Sequence, residues 1–129
     1  RDEGCSYHYM KASREIEVNK KYRKEFIDIL NQHEISYVEG KAWTIDAPYR
    51  ETRDKVLKRK SEGCVCVEME CSAMFAVSEF RGKDLFEFFY AADNLDTAKW
   101  DQRSLGNSDK LSEKEKIIYL ALELALKMK

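Results

Sequence analysis

One proline and five scattered glycines leave this chain without the glycine-rich loops that cradle phosphates. The glycines stand alone at positions 4, 40, 63, 82 and 106. No apolar run approaches the roughly 18 residues that a membrane-spanning helix needs. The first residues, RDEGCSYHYMK, lack the apolar core of a secretory signal. A formal net charge of −1 gives no electrostatic reason to expect a nucleic acid or an anionic membrane as partner. A cytoplasmic protein is the expectation that remains. The four cysteines, at 5, 64, 66 and 71, include no C-x-x-C pair, and C-x-C-x4-C does not match zinc-site spacings. They read as reduced, buried thiols that pack like small apolar residues, with no metal implied.

What is present is a chain 43% hydrophobic and 36% charged, of a length that suits one domain around one sizeable core. It opens on Arg1, so a piece of a longer protein is expected. CSYHYM, residues 5–10, reads as a short strand. From Asn19, a plausible N-cap, to about His33, the residues Tyr22, Phe26, Ile29, Leu30 and His33 fall on one helical stripe. SYVEGKAWTID, 36–46, suggests a strand despite Gly40, and Pro48 marks its exit. Residues 50–62 form a highly charged helix ending at Gly63.

CVCV, 64–67, is then a short buried strand, and 70–81 a helix whose Ser72, Ala73 and Ala76 let it lie close on a sheet before Gly82 stops it. DLFEFFYAA, 84–92, reads as a further strand, apolar on both faces apart from Glu87. A long loop, 93–110, carries Trp100, a candidate lid or subunit contact. Ser112 with Glu115 forms a capping box ahead of a terminal helix. Strands alternating with helices predict an α/β class, a three-layer α/β/α domain with a mainly parallel or mixed central sheet and right-handed crossovers.

In such sheets ligands bind beyond the carboxyl ends of the strands. Three polar clusters fall there: Asp46, Tyr49 and Arg50 in TIDAPYRE, Glu68 and Glu70 in VEME, and Asp93 in AADNLD. Glu68 and Glu70 raise a question, because an unpaired charge buried at a strand end is costly. Two ionised carboxylates at i and i+2 only accept hydrogen bonds, which suits adjacent hydroxyls such as a sugar diol. Met69 between them offers an adaptable apolar surface. The other reading is local: Glu70 starts or caps the next helix, where its charge favours the dipole, and Glu68 pairs with a lysine. His8, between two tyrosines, fits the core or an interface.

GCVCVEMECSAMFAV resembles the signature of the nucleoside phosphorylase superfamily, in which a Glu-Met-Glu triplet follows a strand and opens a helix of small residues. EGCSYHYM, TIDAPYRETRD and FFYAADNLD resemble further segments of that superfamily in the same order. The resemblance implies that Glu70 binds the ribose hydroxyls, with Met69 against the sugar and Glu68 nearby. It implies that Asp93 is the general acid at the purine ring, and that Tyr49 and Arg50 line the base pocket. Many relatives carry Ser before that acid, where this chain has Ala92.

The chemistry implied is cleavage of an N-glycosidic bond. The sugar gains cationic character and the base negative charge, so a protonated Asp can donate to the departing base while carboxylates hold the sugar. Phosphate, a co-substrate rather than a cofactor, attacks the anomeric carbon from the opposite face. In the family phosphate rests on a glycine-rich turn and an arginine in the first half of the fold, so this chain resembles the C-terminal half. Nucleoside and phosphate are the implied partners, with a homo-oligomer or association with an N-terminal half. A uridine phosphorylase, a nucleosidase that uses water and a non-catalytic binding or assembly module are the alternatives.

Overall fold

The computed structural model describes residues 1–97, 99–103 and 111–128, the last stretch by its backbone alone over 111–113. The chain divides into two compact units, 1–19 with 39–88 and 20–38 with 89–129. The first unit is built on two parallel strands, β1 (Lys41–Thr44) and β2 (Cys64–Glu68). Their register pairs Ala42 with Cys66, Trp43 with Val67 and Thr44 with Glu68. Asp2 forms a parallel bridge with Ile45, its amide donating to the Thr44 carbonyl at 2.8 Å. β1 is therefore flanked on both sides, and its residues Trp43 and Thr44, with Ile45 just after them, are all buried. That is the pattern of an interior parallel strand, covered on both faces.

The β1-to-β2 connection runs through a 3-10 turn at Pro48–Arg50 and α1 (Arg53–Ser61), the crossover that parallel neighbours require. Helix α2 (Cys71–Phe80) follows β2 directly and packs on β1 and on the N-terminal turn. Its buried residues are Cys71, Ser72, Phe75 and Ala76, small side chains beside one large ring. Gly63 and Gly82 sit at φ +90° and +61°, the left-handed conformation that ends a helix and that glycine adopts without strain. At Gly82 the closure is a Schellman motif, with Lys83 N–H donating to the Ser78 carbonyl and Gly82 N–H to that of Glu79.

The second unit holds α3 (Arg23–Gln32) and α4 (Leu111–Lys127), packed on each other. In the chain α3 precedes β1, and α4 comes after α2. Tyr22, Phe26, Ile29 and Leu30 are buried along the predicted stripe, and Leu120 and Leu124 are buried on α4. His33 lies outside the core and makes a 2.8 Å contact from Nε2 to Glu123 Oε2.

The mixed α/β class and the parallel pairing hold, and several expectations are corrected. Residues 5–8 form a 3-10 turn rather than a strand. The Glu3 carboxylate accepts from the Ser6 amide and hydroxyl, and this local hydrogen bonding wins over a ladder. His8, at the end of that turn, is exposed within the chain and is no core residue. Residues 84–92 carry no strand assignment among the described residues, and the β1 ladder starts only after Gly40. Apolar composition states what a segment can bury, whereas a ladder depends on two segments at once. Helix α3 begins after Tyr22 and not after Asn19, whose side-chain amide donates instead to Asp84. The Ser112 side of the terminal capping box lies outside the described residues.

Candidate functional site

At the carboxyl edge of the parallel pair, one side chain organises the turn into α2. Glu68 Oε2 accepts the backbone N–H groups of Glu70 (2.8 Å) and Cys71 (2.6 Å), while Oε1 accepts the Thr44 hydroxyl. The Thr44 oxygen in turn accepts the Ser72 N–H at 3.1 Å. Amides at the start of α2 are thus satisfied by a carboxylate and a hydroxyl from the ends of the two strands. The negative charge also faces the positive end of the helix dipole. The acid that caps α2 is therefore Glu68. Glu70 occupies the N-cap position but makes no side-chain cap bond.

With Glu68 engaged, Met69 and Glu70 are the members of the triplet turned to solvent: Met69 is 41% exposed and Glu70 is exposed. Beneath them Glu87 lies half-buried against Cys71. Burial first, and then the charges of Glu68 and Glu70, push the Glu87 carboxyl above its ordinary range, against the lowering effect of the Cys71 thiol. Burial also pushes up the Cys71 thiol, and raises Cys66 to about 11. All four cysteines are free.

A second feature at the same strand ends is an open cleft of about 350 Å³ lined by Asp2, Ile45, Asp46, Ala47, Tyr49, Arg50 and Lys55. Pro48 opens the 3-10 turn that presents Tyr49 and Arg50, and Tyr49 is 86% exposed. The loop before it is tied down where Asp46 Oδ2 accepts the Gly4 N–H at 3.0 Å. The floor is held by Asp2, whose Oδ2 accepts Arg59 at 2.6 Å and the Trp43 indole at 2.9 Å. Burial raises the Asp2 carboxyl, but those hydrogen bonds and the charges of Arg59 and Lys55 outweigh it and hold it below the ordinary aspartate range.

Asp93 belongs to the second unit. Its Oδ2 accepts the indole N–H of Trp100 at 2.7 Å. An antiparallel bridge between Asn94 and Asp101, with amide-to-carbonyl distances of 2.9 and 3.1 Å, folds the loop back so that Trp100 meets Asp93. The Asn94 side chain accepts the Asp96 N–H inside the loop.

The triplet is thus placed at one edge of the sheet and Tyr49 and Arg50 in one cleft, each within the first unit. The sequence reading passes over Thr44, and it makes Trp100 a lid or subunit contact and not a partner of Asp93. Thr44 had a usable signal, a hydroxyl at the last position of a strand in parallel register with Glu68. Trp100 had none tying it to Asp93, because the contact depends on how the loop closes. Among the described residues no group of three or more His, Cys, Asp or Glu side chains could hold a metal ion, and no helix is long and apolar enough to cross a membrane. A family model described as the phosphorylase superfamily matches residues 1–123. The chain belongs to that superfamily, the nucleoside phosphorylase superfamily its Glu-Met-Glu triplet resembles.

Proposed function

We propose that this chain carries the sugar- and base-handling part of a nucleoside phosphorylase, cleaving the N-glycosidic bond of a purine nucleoside with phosphate to give free base and ribose 1-phosphate. The observation that carries the reading is the edge where β1 and β2 end side by side. There Glu68 is consumed in holding the turn, and Met69 and Glu70 are offered to solvent. A carboxylate at that position accepts from two neighbouring sugar hydroxyls, and the thioether beside it packs on the sugar. Glu68 serves the sugar by fixing the backbone that carries Glu70. Asp93 delivers a proton to the ring nitrogen of the departing base, while phosphate, a co-substrate, attacks the anomeric carbon from the far face. Tyr49 and Arg50 line the base pocket. The reading includes a three-layer α/β/α arrangement and an oligomer, and it needs no cofactor.

The test is release of free base from inosine, adenosine and uridine, with and without phosphate. Phosphate-dependent release of the purine bases supports the proposal. Release without phosphate would make the protein a nucleosidase, and release of uracil in preference to purines would place it in the uridine branch. No release, from this chain or from any longer protein that contains it, would overturn the enzymatic reading and leave a nucleoside-binding module. Glu70→Gln should lower kcat/KM roughly 10- to 100-fold, the range expected for hydrogen bonds to a charged group.

A further inference from the structure

We propose that Trp100 is a positioning residue for Asp93, a role that rests on reading Asp93 as the general acid. The indole has one polar group, an N–H that only donates, so it meets a carboxyl oxygen in one way. At 2.7 Å from Oδ2 it occupies that oxygen and turns Oδ1 into the one presented for proton delivery. The carboxyl group would otherwise rotate freely about its last torsion, which is broad and two-fold. Ala92, the residue before the acid, has no hydroxyl with which to hold it.

Two observations make this contact more than a chance meeting of surface groups. The paired backbone hydrogen bonds between Asn94 and Asp101 fix the separation of the residues bearing the acid and the indole. Trp100 is also 57% exposed, so burial of the ring is not what places it there. An exposed indole held by its N–H against a carboxylate is an arrangement that orients the carboxylate.

The test compares inosine with 7-methylguanosine, whose base already carries the positive charge that protonation would supply. Trp100→Phe keeps the ring and deletes the N–H. It should lower kcat on inosine by roughly 10- to 100-fold, the cost of misaligning a reacting group, with KM little changed. Turnover of 7-methylguanosine should barely move. In an Asp93→Asn background the same change should add nothing further, because neighbours that act as a unit are not additive. The chain has two tryptophans, so two indole N–H signals are expected by NMR, and Asp93→Asn should shift the one that Trp100→Phe deletes.

Equal losses on both nucleosides, additive losses in the double variant, or an indole signal indifferent to Asp93→Asn would each overturn the positioning role. If Asp93→Asn is slow on inosine and Trp100→Phe is not, the positioning role alone fails. If Asp93→Asn leaves inosine cleavage unchanged, the general-acid reading fails first and takes this role with it.

Discussion

Glu3 and Glu87 are acids withdrawn from water in the first unit, and their neighbours push them in opposite directions. Glu3 is 6% exposed and accepts the Ser6 amide at 2.9 Å, the Ser72 hydroxyl at 2.7 Å and the Ser6 hydroxyl. Burial raises its pKa, but those donors and the Cys5 amide outweigh burial, so it ionises below the ordinary glutamate range. Its stabilisation is present above the unfolded pKa and is lost as pH falls through the lowered folded value. Glu3→Gln should therefore destabilise the protein by about 1–3 kcal/mol at neutral pH, read from the urea midpoint, with the deficit shrinking in acid. Glu87 has the reverse sign. Its raised pKa favours the protonated form in the fold, a contribution complete below the unfolded pKa and lost as pH rises through the folded one. Glu87→Gln should be more stable than the parent at pH 7, and the gain should vanish below about pH 4, where the unfolded glutamate is itself protonated.

At the scale of the elements, what decides an end is which group meets the unpaired amides and carbonyls. Thr44 both donates to Glu68 and accepts the Ser72 N–H, so Thr44→Val should cost about 1–2 kcal/mol, the value of a lost N-terminal cap. Helix α3 ends in a Schellman closure like that at Gly82, with Ile35 N–H on the Leu30 carbonyl, but its left-handed residue is Glu34 at φ +54°. Glu34→Gly should raise stability by about 0.5–1 kcal/mol in thermal or denaturant unfolding, since the Cβ strain outweighs the entropy glycine adds to the unfolded chain. Stops at Gly63 and Gly82 were legible because glycine announces the conformation they need. The stop at Glu34 was not, because no residue type there signals it. The reading of residues 5–10 as a strand fails for a related reason: it looks at the segment alone, while the deciding bonds come from Glu3, outside it.

For the whole chain, the parallel pairing and the position of the Glu-Met-Glu triplet were readable, because alternation of apolar runs with turn residues reflects the backbone's own periodicities. The division of labour within the triplet was not, since it depends on which donors lie within reach of each carboxylate. The cysteines give a global readout of the same packing. Cys5 is exposed, whereas burial raises Cys64, Cys66 and Cys71. The thiolate is the reactive form, so alkylation at neutral pH should mark Cys5 quickly and Cys66 and Cys71 only on denaturation. Fast labelling of Cys71 in the native protein would contradict its placement.

The shared carboxylate of Glu68 has one more implication, for motion. Because it ties the ends of β1 and β2 to the first amides of α2, those amides exchange only when the carboxylate lets go of them. Deuterium uptake at Cys71 should therefore be slower than in a Glu68→Ala variant, where the amide has lost its acceptor. If the triplet holds a pentose as proposed, the sugar meets a floor already held by hydrogen bonds, and its capture demands little ordering of the polypeptide beneath it.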